Sequence, residues 1–132
     1  MDSSYYREQI IDLYENPLNY GELKTADFSY EEDNPLCGDV VRIDVKLDEN
    51  GRVAEVAWSG EGCAISQASA SLLTEEIKGK TLTEIKEFSK EKVLELIGIP
   101  LSMARVKCAL LSLKVLKAGA YGIPEPKEIR QE

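Results

Sequence analysis

The chain of 132 residues contains no histidine. Histidine supplies the base in Ser–His–Asp and Cys–His catalytic sites, the imidazole ligand of many metal centres and the usual proton shuttle near neutral pH. Its absence argues against a cysteine protease or hydrolase. Thiols and carboxylates are left as the candidate metal ligands.

Cysteine is scarce, and its three copies lie far apart at Cys37, Cys63 and Cys108. An odd number of cysteines does not suggest a disulfide framework. No C-x-x-C pair occurs, so a thioredoxin-like or zinc-ribbon site loses its main support. Each cysteine must therefore be judged by its surroundings.

Long apolar runs are also lacking. No stretch approaches the ~18 apolar residues that a transmembrane helix requires, and the N-terminus does not combine a basic region with an apolar one. We therefore expect neither a membrane span nor a secretory signal, and the expected location is the cytoplasm.

Basic residues are fewer than acidic ones: the chain has 16 Lys and Arg and 24 Asp and Glu, which gives a net charge of -8. This balance argues against nucleic-acid partners, whose phosphates are bound by Lys and Arg. The hydrophobic (43%) and charged (30%) fractions are those of an ordinary globular protein. We predict one domain over 1–132, with a frayed tail over 121–132.

A β-hairpin is the clearest local signal. Apolar and polar residues alternate over 41–47 and again over 52–59, and Asn50-Gly51 between them favours a two-residue type I′ turn. Such a turn pairs apolar with apolar residues throughout: Leu47 with Ala54, Val45 with Val56, and Ile43 with Trp58. A one-residue slip would break this match, so the register is well specified.

The same register, extended to the open end of the hairpin, places Asp39 opposite Gly62 and Gly38 opposite Cys63. Directly opposed residues lie about 5 Å apart at Cβ, and diagonal ones about 7–8 Å. We therefore expect Cys37, Asp39 and Cys63 to meet at one end of the sheet.

Helical patterns account for most of the remaining chain. We predict helices over 3–14, 64–78, 81–88, 90–97 and 102–118. Thr81 and Glu84 fit a capping box, and Gly79 and Gly98 are suited to helix C-termini. In the last helix, Met103, Val106, Leu110 and Leu113 are predicted to form one apolar stripe.

The cysteines admit a structural and a functional interpretation. A free cysteine often behaves as a small buried hydrophobe, and this applies best to Cys108, which shares a helix face with apolar neighbours. Cys37 and Cys63 lie instead among Gly, Pro and acidic residues, and Cys63 precedes a helix whose N–H groups favour a thiolate. Asp39 is either a solvated acid or a hard ligand beside thiolates. A Cys₃Asp set would suit Zn²⁺ or an iron–sulfur cluster.

Three motifs occur in order: NPLCGD at 34–39, GEGCAIS at 60–66 and RVKCA at 105–109. Together with IDLYENPLNYG at 11–21, they resemble the IscU/SufU/NifU N-terminal family of iron–sulfur cluster assembly scaffold proteins. The resemblance covers nearly the whole chain, and three ordered motifs are more specific than any one alone.

The resemblance implies an α+β fold, in which a small antiparallel β-sheet of about three strands packs against four to five helices. It also implies that Cys37, Asp39, Cys63 and Cys108 bind a transient [2Fe–2S] cluster, or Zn²⁺ at the same ligands. The implied partners are a cysteine desulfurase, which would pass sulfur to one of the three thiols, and recipient apoproteins.

Some positions depart from the IscU branch. Lys107 precedes the third cysteine where IscU has histidine, as in the SufU branch, although the spacing from Cys63 to Cys108 resembles IscU. The segment 101–107 does not match the IscU chaperone-recognition sequence Leu-Pro-Pro-Val-Lys, so a dedicated Hsp70-type partner is not expected. An ammonium must lose its proton, with an ordinary pKa of about 10.4, to bind metal. Lys107 is thus either a solvated lysine or a neighbour of the ligands, and Arg105 could act likewise.

Three functions stay open at this stage. The first is a scaffold, not itself an enzyme, that assembles a [2Fe–2S] cluster and transfers it. The second is a zinc-dependent sulfur-transfer protein of the SufU type, which relays persulfide without building clusters. The third is an interaction module with structural zinc.

Overall fold

A computed structural model describes residues 3–34 and 38–122. Within these ranges, a three-stranded antiparallel sheet packs against five helices, which confirms the predicted α+β fold. The elements are α1 (Ser3–Glu15), β1 (Phe28–Asn34), β2 (Asp39–Leu47), β3 (Val53–Glu61), α2 (Ala64–Glu76), α3 (Leu82–Lys86), α4 (Lys90–Ile97) and α5 (Met103–Tyr121).

The sheet has the order β1-β2-β3, and the predicted pairs Val45–Val56 and Ile43–Trp58 are confirmed. The prediction for the turn is wrong, because Leu47 pairs with Val53 and not with Ala54. Gly51 has a φ of 77°, whereas Asn50 does not adopt the positive φ that a type I′ turn requires. A longer loop with a bulge therefore joins β2 and β3.

Asp48 explains this choice of turn. Its Oδ1 accepts hydrogen bonds from the N–H groups of Asn50 (2.8 Å) and Arg52 (3.0 Å), and its carbonyl accepts from Gly51 (3.0 Å). An aspartate at this position stabilises a type I turn, which a left-handed glycine then closes.

The main core lies between one face of the sheet and helices α2, α3, α4 and α5. Its largest fully buried members include Trp58, Ile43 and Leu73. A smaller cluster, centred on Ile10 and Leu13, attaches α1 to the rest of the protein. Met103 contradicts the predicted stripe, since it is 85% exposed at the first position of α5, before the helix reaches the core.

The outer edge of β3 is covered by the segment that follows α1. Trp58 donates its backbone N–H to the carbonyl of Asn19 (2.9 Å) and its indole N–H to that of Leu18 (2.8 Å), and Gly21 N–H donates to the Trp58 carbonyl (2.8 Å). Covering an edge in this way prevents further strand pairing. It also fixes the strand that leads directly to Cys63.

Two helix termini have the capping residues that the sequence predicts. Thr81 and Glu84 form the predicted capping box, and Gly98 ends α4 in a left-handed conformation. α2 ends at Glu76, two residues before the predicted Lys78, and α5 continues to Tyr121 instead of Ala118. The rest of the predicted tail, 123–132, lies outside the described residues. In the part of the chain that is described, no helix has the length and apolar character to cross a bilayer.

Asp44 is a buried carboxylate on the outer face of β2, only 2% exposed. Burial opposes its ionisation, but hydrogen bonds from Ser29, from Arg42 and from the backbone N–H of Leu23 outweigh burial and hold the pKa of Asp44 below its ordinary value. The Arg42 Nε atom lies 3.0 Å from Oδ1, and Leu23 N–H donates to Oδ2 at 3.1 Å. The charged form therefore stabilises the fold.

We predict that Asp44→Asn lowers the free energy of unfolding at neutral pH by about 1–3 kcal/mol, because the amide places a donor against Arg42. Since folding lowers the pKa of Asp44, its stabilisation is complete above the unfolded carboxyl pKa of about 3.9 and is lost as the pH falls through the lower folded value. Urea unfolding from about pH 7 to about pH 2 should show the two proteins converging at acidic pH. Asp33→Asn, at an exposed position, is the matched control. A constant difference at every pH would contradict this assignment.

Candidate metal centre

Three of the four predicted ligands lie together. Asp39, Cys63 and Cys108 offer ligand atoms that are all within 4.8 Å of one another. They come from the start of β2, the loop after β3 and the first half of α5. Cys37 lies outside the described residues, so its part in this cluster stays a prediction.

The hairpin register brings Asp39 to Cys63. The last described pair at the open end is Val40–Glu61, in the predicted register. Cys63 N–H donates to Asp39 Oδ1 at 3.0 Å, and Cys63 Sγ lies 3.8 Å from Asp39 Oδ2. A Cβ on Gly62 would crowd Ser66 Oγ and would lie 2.6 Å from Asp39 Oδ1, so glycine gives both side chains the room for this close approach. Asp39 and Cys63 thus meet through the predicted register, and their role as ligands stays a prediction.

Cys63 is also the N-cap residue of α2, but its side chain makes no capping hydrogen bond. Two neighbours hold the loop instead: Ser66 Oγ donates to the Cys63 carbonyl (3.1 Å), and Gln67 Nε2 donates to the Gly62 carbonyl (2.9 Å). The sulfur is thereby left to face Asp39 and Cys108. The sequence analysis missed these supports, although polar residues three and four positions after an N-cap are a usable signal.

Cys108 is 2% exposed, as its structural interpretation predicted, yet its sulfur also belongs to the ligand cluster. The hydroxyl of Ser69 on α2 donates to the carbonyl of Ala109 and lies 3.0 Å from the hydroxyl of Ser112. Because Ser69 and Ser112 are small and lie within hydrogen-bonding distance of each other, α5 can pack closely on α2. This packing carries Cys108 to the loop that holds Cys63.

Arg105 is a basic side chain that lies beside the candidate ligands. Electrostatic interaction with the side chain of Cys63, followed by that with Cys108, raises the pKa of the Arg105 guanidinium above its ordinary value. Lys107 lies elsewhere, lining a separate cavity of about 280 Å³ together with Asp33 and Lys114. Of the two basic residues considered from the sequence, Arg105 therefore neighbours the described candidate ligands Asp39, Cys63 and Cys108, whereas Lys107 is an exposed residue of α5 that does not line their cavity.

The ligand cluster lines a cavity of about 710 Å³, which we call the ligand cavity. This volume is much larger than one metal ion needs, and it leaves room for a small inorganic cluster. Two thiols and a carboxylate suit Zn²⁺ or iron–sulfur chemistry. The remaining lining residues include Glu61, an exposed acid that the sequence analysis did not single out.

We predict that Gly62→Ala weakens the binding of Zn²⁺ or Co²⁺ about tenfold to a hundredfold, the usual effect of disturbing the support of a metal ligand. The added Cβ would crowd both Ser66 Oγ and Asp39 Oδ1, and would thereby disturb the contact between Asp39 and the Cys63 amide. Competition with a chromophoric chelator would measure the affinity. Gly122→Ala is the control, because its Cβ would come no closer than 3.3 Å to a neighbour and its φ is ordinary for a helix end. Equal affinities in both variants would contradict the proposed contact.

Comparison with known proteins shows which sequences and folds this chain resembles. Residues 5–128 match the family model of the NifU-like N terminal domain. The chain is 39% identical to the zinc-dependent sulfurtransferase SufU of Bacillus subtilis, over 86% of this chain and 88% of that protein. It is 35% identical to the iron-sulfur cluster assembly scaffold protein IscU of Haemophilus influenzae, over 86% and 90%.

Solved structures agree. The SufU structure from Fervidobacterium islandicum superposes with a TM-score of 0.75 at 29% identity, covering 86% of this chain and 94% of that one. The N-terminal NifU-like protein of Brucella abortus shares the fold, with a TM-score of 0.70 at 21% identity, over 96% and 95%. The family model and these relatives span most of the sequence, and the chain therefore belongs to the IscU/SufU/NifU N-terminal family.

Proposed function

We propose that this protein is an iron–sulfur cluster assembly scaffold, formed by a single domain over 1–132 and acting in the cytoplasm. It accepts sulfur from a cysteine desulfurase, assembles a [2Fe–2S] cluster on Cys37, Asp39, Cys63 and Cys108, and transfers it to apoproteins. The observation that carries this proposal is the convergence of two thiols and one carboxylate within 4.8 Å. The IscU and SufU relatives support it.

The chemistry of the ligands suits a transient cargo. Thiolates bind iron firmly, whereas a carboxylate is a harder and weaker ligand for a cluster. A permanent electron carrier would gain from a fourth thiolate, but a scaffold must release what it builds. Asp39 supplies the weaker bond, and Arg105 supplies positive charge beside an anionic cluster.

We predict that the protein, incubated without oxygen with Fe²⁺, cysteine and a cysteine desulfurase, develops the visible absorption and circular dichroism of a [2Fe–2S] cluster. Cys63→Ser and Cys108→Ser should each reduce the cluster yield at least about tenfold, because a hydroxyl is a poor ligand for a sulfur-rich site. Cys37→Ser tests the ligand outside the described residues.

The control for this experiment is Ser112→Ala, which alters the packing of α5 but removes no thiol. Near-native helical circular dichroism must accompany each comparison. If no cluster forms on the wild-type protein, or if all three cysteine variants assemble it normally, the scaffold proposal is wrong.

A second candidate is a zinc-dependent persulfide relay. The 39% identity to a protein named zinc-dependent sulfurtransferase supports it, as does Lys107 at the position where the IscU branch has histidine. In this mechanism the same ligands would hold Zn²⁺, and sulfur would pass through one thiol without iron.

Desulfurase turnover separates the two candidates. A relay predicts that the zinc-loaded protein accelerates cysteine turnover severalfold and keeps its zinc, as measured by elemental analysis. A scaffold predicts that iron and sulfide replace zinc in the same protein.

Removing zinc with a chelator tests the structural alternative. The main core excludes the ligand cluster, so we expect the metal-free chain to keep its helical circular dichroism. Unfolding on chelation would instead support a structural zinc module.

A further inference from the structure

Two exposed side chains of opposite charge line the ligand cavity: the carboxylate of Glu61 and the guanidinium of Arg105. Asp39 is the other charged group among the described lining residues, but it is only 1% exposed. It is also held inside by the Cys63 N–H, which donates to it at 3.0 Å. A reactant that approaches from solvent therefore encounters Glu61 and Arg105 before it reaches the buried groups.

Arg105 suits one of the two kinds of reactant that a cluster site must admit. Its guanidinium interacts with the side chains of Cys63 and Cys108. Such a positive charge attracts anionic sulfur, and it repels a divalent metal ion that approaches the same thiols. An exposed negative charge is therefore needed at the mouth of the cavity if the metal ion is to enter readily.

Glu61 supplies that charge at a suitable place. It is the last residue of β3, it pairs with Val40 of β2, and Cys63 follows it by two residues. The group of ligand atoms that lie within 4.8 Å of one another does not include its carboxylate, so Glu61 is an outer group and not a further resident ligand in this arrangement.

The Glu61 carboxylate is also available to a ligand. Within residues 3–34 and 38–122 it makes no hydrogen bond or ion pair. Carboxylate oxygens bind divalent metal ions that still carry water ligands. The side chain can therefore bind a hydrated metal ion without first breaking a contact within the described part of the chain.

We propose that Glu61 is the entry ligand of the ligand cavity, whose carboxylate binds the incoming divalent metal ion first and passes it inward to Asp39, Cys63 and Cys108. This inference rests on the proposed function, since it takes the metal ion as cargo. As the metal ion moves inward, water and the Glu61 oxygen leave it and thiolates replace them. Each thiol that binds releases its proton to solvent, and no electron is transferred.

The first test measures metal loading on the full chain without oxygen, with Co²⁺ as the probe, because cobalt–thiolate absorption reports binding to sulfur. Glu61→Gln should slow the association of Co²⁺ about threefold to tenfold at low salt, since it removes an attractive charge from the mouth of the cavity. The difference should shrink at high salt. The same group lies on the exit path, so dissociation should slow by a similar factor and the affinity should change less than about twofold.

Two further variants serve as controls for the loading rates. Glu55→Gln removes the same charge from an exposed position of the same strand, about 20 Å away along β3. It should change neither the association nor the dissociation rate. Glu61→Asp keeps the charge on a shorter side chain and should recover most of the association rate.

The second test examines the charge at the mouth in the metal-free protein. Cys63 is alkylated with neutral iodoacetamide or with anionic iodoacetate, and peptide mass spectrometry measures each rate at Cys63. The ratio of the two rates removes the intrinsic reactivity of the thiol. Glu61→Gln should raise the ratio of the iodoacetate rate to the iodoacetamide rate about twofold to fivefold at low salt, whereas Glu55→Gln should leave it unchanged.

Failure of this inference can be told apart from failure of the scaffold proposal. An unchanged association rate in Glu61→Gln, or a lower affinity caused by faster dissociation alone, would overturn the inference and leave the scaffold proposal intact. An unchanged alkylation ratio would do the same. If the correctly folded wild-type protein binds no Co²⁺, both proposals are wrong.

Discussion

A backbone hydrogen bond ties two of the candidate ligands together: the Cys63 N–H donates to the Asp39 carboxylate at 3.0 Å. Asp39 begins β2, and Cys63 follows β3, so the bond closes the open end of the hairpin. Glycine at position 62 makes the approach sterically feasible. Without this bond the Cys63 amide would no longer be tied to the start of β2, and the sulfur of Cys63 would be held less firmly beside the carboxylate.

The main hydrophobic core and the covered edge of β3 stabilise the fold, and they are separate from the cluster of candidate ligands. Among the described residues, the main core between the sheet and the helices is apolar and does not include Asp39, Cys63 or Cys108. Asp39 and Cys63 lie at the open end of the hairpin, and Cys108 reaches them from α5. The segment at Asn19 also contributes, because it covers the edge of β3 and holds in place the strand that leads to Cys63.

The sequence predicts those parts of the site that depend on local pairing. Alternation and register placed Asp39 near Cys63, and the structure agrees. The turn at Asp48 was mispredicted, because side-chain hydrogen bonds, and not the Asn-Gly pair, decide its type. The approach of Cys108 could not follow from the hairpin. It depends on the packing of α5 against α2, so only the family resemblance indicated it. The position of Arg105 beside Cys108 was predictable from helical spacing, because these residues are three apart and share a face of α5. Lys107 does not lie on that face.

The two oxygens of Asp39 serve different purposes, and this limits what any single substitution can show. Oδ1 accepts the Cys63 amide and shapes the loop, while Oδ2 faces the Cys63 sulfur at 3.8 Å, on the side of the ligand cluster. Alanine at this position would remove both oxygens, so a loss of binding could arise from a displaced loop alone. Asparagine would retain a neutral acceptor for the amide and remove the charge. The contrast between these two variants separates the structural contribution of Asp39 from its contribution as a ligand.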